Sequence, residues 1–260
     1  MRSILSSLEQ VVSRAPARRT APSPPRATEI KPAEELVSLL SRESFEANMY
    51  RVLTHRIEHA GVHAGRGVIA VTSPGAGEGK TTTAINLAGT LAQAKESRVL
   101  LVDADLRLPG VAAKLRLAVD GQPGLSDAIV DTHLPLEAVV RHYPVFNLSI
   151  LTSGRPLAGP YEALRSPRLG ELFDQARRTY DYVIVDTPPV LPVPDCRVIA
   201  RWADGVLVVV AAHRTPRRFL EETLNALDPD KVTGLVFNSV DPPRPGPYAY
   251  YRGYGAPPAR

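Results

Sequence analysis

One cysteine, one tryptophan, two methionines and five phenylalanines are all that 260 residues contain of these types. The single thiol, Cys196, excludes an intrachain disulfide and fits a reducing compartment. Its Pro194-Asp195-Cys196-Arg197 setting carries no triad-like partners and reads as structural rather than nucleophilic. Long apolar runs are missing too. The stretch Gly205–Ala212 is among the longest, far short of the roughly 20 residues that cross a bilayer. Near the amino terminus Ile4, Leu5, Leu8, Val11 and Val12 give an apolar hint, but Glu9 interrupts it and no h-region or cleavage site follows. A cytoplasmic location is therefore expected. Charge of either sign is scarce as a net quantity. Residues 1–32 hold Arg2, Arg14, Arg18, Arg19, Arg26 and Lys31 against Glu9 and Glu29, which accounts for the whole +4 and leaves the rest neutral. A nucleic-acid-binding domain would spread positive charge over a folded face, so no nucleic-acid partner is expected. The basic arm could meet an anionic membrane or an acidic partner, or act only as a solubilising segment.

What is present is a regular alternation. Residues 1–32 are rich in Ala, Pro, Arg and Ser and read as a disordered basic tail. Residues 33–62 turn helical, with Leu36, Leu39, Leu40, Tyr50, Leu53 and Ile57 at helical spacing and a break near Ser41–Ser44. Residues 63–240 then alternate strands and helices. Strands are expected at Gly67–Thr72, Arg98–Asp103, Phe146–Thr152, Tyr182–Asp186, Gly205–Ala211 and Val232–Asn238. Helices are expected at Thr81–Lys95, Pro160–Arg178 and Thr215–Ala226, the last with Thr215 as N-cap and Pro216 at its first position. Runs such as Val183-Ile184-Val185 suit strands buried on both faces. The pattern predicts an α/β fold with a doubly wound, mostly parallel sheet.

Chemistry enters at the strand ends. The first strand leads into Ser73-Pro74-Gly75-Ala76-Gly77-Glu78-Gly79-Lys80-Thr81-Thr82. Glycines allow backbone N–H groups to converge on phosphate oxygens, and the following helix aims its positive end at the anion. Lys80 would reach the β- and γ-phosphates and the Thr81 hydroxyl would ligate Mg²⁺. The loop is a variant, because the strict spacing wants glycine where Pro74 stands. The second strand ends in Asp103-Ala104-Asp105-Leu106-Arg107, and the fourth in Asp186-Thr187-Pro188-Pro189. Any one of these aspartates alone would be read as a turn residue or a helix cap. Together, at carboxyl strand ends beside a phosphate loop, Asp103, Asp105 and Asp186 offer Mg²⁺ ligands and a base for an attacking hydroxyl. Residues 241–260 hold Tyr248, Tyr250, Tyr251 and Tyr254, interleaved with proline and glycine, and read as a flexible tail. Phenolic hydroxyls on a leash next to an ATP site point to self-phosphorylation. Docking of an aromatic tail on a partner is the plainer alternative.

Taken together, the loop, the Asp-x-Asp-x-Arg and Asp-Thr-Pro-Pro segments and the tail resemble the bacterial tyrosine autokinases (BY-kinases) of capsule and exopolysaccharide assembly. The likeness covers roughly residues 45–255, including Gly124-Leu125-Ser126, Gly154, Pro160-Tyr161-Glu162-Ala163-Leu164 and Ser166-Pro167-Arg168. It implies a P-loop NTPase-like domain with variant Walker A, A′ and B motifs that binds ATP and Mg²⁺. By the same resemblance Asp103 is the base, Asp105 and Asp186 serve the metal, Arg107 assists catalysis or subunit contacts, and Asn238 meets adenine. It also implies a membrane-spanning polysaccharide co-polymerase as activator, a peripheral place at the inner membrane face, and a homo-oligomer whose tails are phosphorylated between subunits. The family's Glu-x-x-Arg-x-x-Arg oligomerisation segment falls on Asn48, Arg51 and Thr54, so two of its three charged positions are absent. His55, His59 and His63 lie at helical spacing and could mimic a metal face, but Gly61 intervenes and no carboxylate pattern supports one, so they read as surface or interface residues. Partition and cell-division-site ATPases are a rival reading, but their signature lysine falls where Gly75 stands. A catalytically weak nucleotide-binding subunit of an export complex is the other.

Overall fold

The computed structural model describes residues 32–59, 67–119 and 121–239. Among them, seven strands form one sheet: β1 (Gly67–Thr72), β2 (Val99–Asp103), β3 (Arg141–Tyr143), β4 (Leu148–Leu151), β5 (Tyr182–Asp186), β6 (Gly205–Ala211) and β7 (Val232–Asn238). Their order is β3-β4-β2-β5-β1-β6-β7, and every pairing is parallel except β3 with β4. The sequence gives no separate signal for β3, whose three residues sit at the sheet edge.

Alternate residues feed two cores. Val68, Leu100, Val102, Val183, Val185, Val206 and Val208 face one side, and Ile69, Leu101, Ile184, Leu207 and Val209 face the other. On the first side lie α7 (Pro160–Leu164), α8 (Pro167–Thr179) and α9 (Asp195–Ala200), contributing Leu164, Leu169, Leu172, Phe173 and Ile199. On the second, α3 (Lys80–Leu91) is buried without a break from Thr83 to Leu91. A helix covered all round needs layers on both sides, and α1 (Val37–Leu40) with α2 (Phe45–His59) supplies the outer one. The buried side chain of Asn86 fastens that layer. Its Oδ1 accepts from Ser38 N (2.9 Å) and its Nδ2 donates to Glu35 O and Thr82 O (both 3.0 Å).

Three expectations about helices change. The stretch 160–178 is two helices, because Pro167 cannot continue the first and instead opens α8 with the Ser166 hydroxyl accepting from Arg168 N (3.2 Å). The helix after the phosphate loop stops at Leu91, short of Lys95. Finally, α10 spans Arg217–Ala226 with Pro216 as its N-cap. Thr215 does not cap it, because its hydroxyl turns back to accept from Ala211 N at 3.1 Å. Three short helices complete the set: α4 (Val111–Leu115), α5 (Leu125–Val130) and α6 (Leu136–Val139). Among the described residues, no helix is long and apolar enough to cross a membrane. The basic arm at 1–31, His63 and all four tail tyrosines lie outside the described residues.

Candidate functional site

The carboxyl ends of β1, β2 and β5 adjoin, since β5 lies between the other two. Asp103 and Asp186 are direct register partners across β2 and β5, and Val71 of β1 pairs with Asp186. Parallel pairing therefore brings together three strand ends that lie far apart in sequence, at the edge where α/β sheets bind ligands.

The loop from Ser73 to Gly79 joins β1 to α3. Gly77 and Gly79 adopt φ of 76° and 95°, a region open to glycine at little cost. At Gly79 a Cβ would also collide with Asn238 Nδ2. Asn238 ends β7 and donates to Glu78 O (3.0 Å), so it braces the phosphate loop. Gly75 N donates to the Glu78 carboxylate at 3.1 Å, leaving this N–H committed within the loop. Ala76 and Gly77 are exposed, whereas Glu78 is buried, and burial pushes its carboxyl above the ordinary range.

Lys80 is the cation at the centre. Its Nζ lies 2.9 Å from Asp105 Oδ2, with side-chain exposures of 12% and 4%. Burial works to lower the Lys80 ammonium, but the charges of Asp186, Asp105 and Asp103 outweigh it and hold it up. All three aspartates thus surround Lys80. Asp103 Oδ2 accepts from Gly110 N (3.1 Å) and Val111 N (3.0 Å), while its Oδ1 has no partner. Neither oxygen of Asp186 has a well-formed hydrogen bond, although the Thr81 hydroxyl lies near enough to favour its charged form. Burial, then the charge of Asp186, pushes the Asp103 carboxyl up to about 8. Burial pushes Asp186 up to about 6, against the pull of Lys80. Three buried carboxylate oxygens without a well-formed hydrogen bond are a marked deficit of positive charge.

That deficit suits a cation. Among the described residues no three acidic, His or Cys side chains are close enough to hold a metal by themselves. An ion completed by phosphates and water needs fewer protein oxygens, as Mg²⁺ does, so the donor set fits Mg²⁺ with a nucleotide. Thr81 lies at the start of α3 beside this cluster, with its side chain packed near Gly110 of the Asp105–Val111 turn. Thr82 follows it, half-buried.

Arg107 is not a free arm. Its Nε and Nη2 donate to the two oxygens of Asp195 at 2.7 and 3.1 Å. Asp195 is fully buried at the first position of α9 and belonged to none of the expected site residues. The sequence carried only a faint signal for it, an acid inside the proline-bracketed run after the fourth strand.

A family model described as an AAA domain matches residues 66–228. Tyrosine-protein kinase YwqD of Bacillus subtilis is 33% identical over 218 residues, which cover 83% of this chain and 90% of YwqD. The succinoglycan biosynthesis transport protein ExoP of Rhizobium meliloti is 35% identical over 191 residues. That match takes in 72% of this chain and 24% of ExoP, so the chain spans about a quarter of that relative. Among solved structures, the kinase domain of VpsO superposes with a TM-score of 0.67 at 31% identity, over 80% of this chain and 96% of that one.

Proposed function

The chain belongs to the bacterial tyrosine-protein kinases, and from that premise we propose that it transfers the γ-phosphoryl group of ATP to tyrosines of its own carboxy-terminal segment. The observation that carries this reading is the set of oxygens without well-formed hydrogen bonds on Asp103 and Asp186 around Lys80, at the mouth of a glycine-rich loop.

Each residue then has a task. Backbone N–H groups at Ala76, Gly77, Gly79, Lys80, Thr81 and Thr82 bind phosphate oxygens, with Gly75 and Glu78 shaping the turn that presents them. Lys80 leaves Asp105 for the β- and γ-phosphates. Thr81, Asp105 and Asp186 would hold Mg²⁺, which when bound would supply charge stabilisation to the transferring phosphoryl group. Asp103, steadied on one oxygen by Gly110 and Val111, presents the other to a tyrosine hydroxyl as base. It must first lose the proton that burial holds on it at neutral pH. Asn238, whose amide is fixed against the loop, is the proposed adenine contact. Tyr248, Tyr250, Tyr251 and Tyr254 are the proposed acceptors.

Assembly belongs to the same reading. On α2, Arg51 donates to Asn48 Oδ1 (2.6 Å) and pairs with Glu43 (3.2 Å), so the residues standing at two positions of the family's oligomerisation segment are joined within one chain. Met49 and Val52 are exposed on the same helix, an apolar surface suited to a second copy. Similarity to a succinoglycan transport protein supports a role in polysaccharide export beside a membrane-spanning activator.

Incubation of the purified protein with Mg·ATP, followed by mapping of phosphotyrosine, tests the proposal. Phosphate on the four tail tyrosines is the expected result. ATP consumption without phosphotyrosine would favour an ATPase, and neither would favour a regulatory subunit.

A further inference from the structure

Asp195 stands outside every motif above, yet it is one of the few acids with no exposed surface at all. Both its oxygens are taken by Arg107, in the two-pronged geometry that makes guanidinium–carboxylate contacts strong. Arg107 in turn lies within the fields of Asp105 and, less strongly, Glu162. Asp105 receives Lys80. The four side chains therefore form a row of alternating sign: Asp195, Arg107, Asp105, Lys80.

This row has a consequence once a nucleotide binds. Lys80 turns to the phosphates and Asp105 loses its cation. Arg107, two residues along the chain and within the field of Asp105, is then the positive group left nearest to it in sequence. A guanidinium that reached those oxygens would occupy the position Mg²⁺ needs. We propose that Asp195 is a positioning residue that holds Arg107 off Asp105, keeping the carboxylate open to the metal. The inference rests on the reading of Asp105 as a metal ligand. Glu162 is too exposed to do this job, whereas Asp195 is buried and bonded at both oxygens.

A purely structural pair, gluing α9 to the turn after β2, would change stability and nothing specific to metal. The two are separated by Mg²⁺ titration of nucleotide binding, read with a fluorescent ATP analogue, and by Mn²⁺ binding read by electron paramagnetic resonance. Asp195→Asn should raise the metal concentration for half-saturation by about tenfold, the effect of one cation gained by a carboxylate. Nucleotide binding without metal should stay unchanged. Adding Arg107→Gln to that variant should restore metal affinity to near wild type, because the competitor is gone. An unchanged half-saturation in folded Asp195→Asn, or a double variant as weak as the single one, overturns the proposal. If Asp195→Asn does not fold, Arg107→Gln alone decides. Its glutamine amide can still donate to Asp195, and metal affinity should be equal or tighter, while weaker affinity counts against the proposal. Wild-type metal affinity in Asp105→Asn would show that the underlying reading of the metal site had failed.

Discussion

Asp103, at the end of β2, and Asp127, in the first turn of α5, are both buried aspartates, and their carboxyl groups are driven in opposite directions. Burial alone would raise both. Asp127 nevertheless falls below the ordinary range, because Gly124 N (2.8 Å), Arg155 N (3.1 Å) and Arg155 Nε all donate to it. Asp103 has two backbone donors on one oxygen, none on the other, and Asp186 as a like-charged neighbour. The first carboxylate completes its own environment and ties the Gly124 and Gly154 turns together. The second is left wanting a cation. Burial by itself therefore says little about function, and an unpaid hydrogen-bond deficit says a good deal.

The largest effects should fall on the deficient side. Lys80→Met should leave the fold intact and cut ATP turnover and tail phosphorylation by roughly 10²–10³-fold or more, since phosphoryl transfer depends on charge and positioning. Near-normal phosphotyrosine in this variant would overturn the site assignment. Asp103→Asn should lose transfer by about 10²–10⁴-fold while keeping nucleotide binding. It should also be more stable than wild type at pH 8–9 without nucleotide, by roughly 2 kcal/mol. The sign follows from linkage. With its carboxyl raised from 3.8 to about 8, folded wild type binds more protons than unfolded chain across that window, so its stability falls as pH rises. Unfolding curves between pH 5 and 9 check this, and a wild type whose stability rises toward pH 8 would contradict it.

The satisfied side should behave in reverse. Asp127→Ala strands Gly124 N and Arg155 N, and should cost about 2–3 kcal/mol of stability at neutral pH with the chemistry of the correctly folded fraction untouched. Because its carboxyl is depressed, the stability it contributes is present above the ordinary carboxylate range and lost as pH falls through the lower folded value. Denaturant titrations at falling pH should show the gap between wild type and variant narrowing below the ordinary carboxylate range without closing, since a protonated carboxyl still accepts from Gly124 N and Arg155 N. A gap that does not narrow would mean that the charge of Asp127 adds nothing to its hydrogen bonds.

How much of this contrast could be read in the sequence depends on the range of the signal. The strands were legible because Val183-Ile184-Val185 and Val206–Val210 are continuous apolar runs, the mark of burial on both faces. Asp103, Asp105 and Asp186 were legible because they end such runs, and the sheet does bring them around Lys80. The Arg107–Asp195 pair was not, because its partners are 88 positions apart and α9 carries no motif for it. Nor was the Asn86 clasp, where one mid-helix amide gathers Glu35 and Ser38 from a segment 48 or more residues away. Thr215 misled because a threonine before a proline can bond backward as well as forward, and here Ala211 N takes its hydroxyl.

Glu78 tests the contrast most finely, because it belongs to neither side. Its Oε1 accepts from Gly75 N at 3.1 Å, like a structural acid, while its buried Oε2 lacks a well-formed hydrogen bond, and the nearby Thr215 hydroxyl and Ala211 N ease the carboxylate only in part. Unlike Asp103, it does not join the cluster whose charges hold Lys80 up. Its deficit therefore lies within the phosphate loop, where a second anion is due to bind. Glu78→Gln keeps an oxygen that can accept from Gly75 N and removes the negative charge. Nucleotide affinity should then tighten by about two- to fivefold, a modest gain because Arg214 already offsets part of its field. Titration of the nucleotide into the variant and wild type, with and without Mg²⁺, measures it, and the gain should be larger without Mg²⁺, when phosphate charge is least neutralised. An affinity loss would mean that the carboxylate's grip on Gly75 matters more than its charge, and would move Glu78 to the side of Asp127.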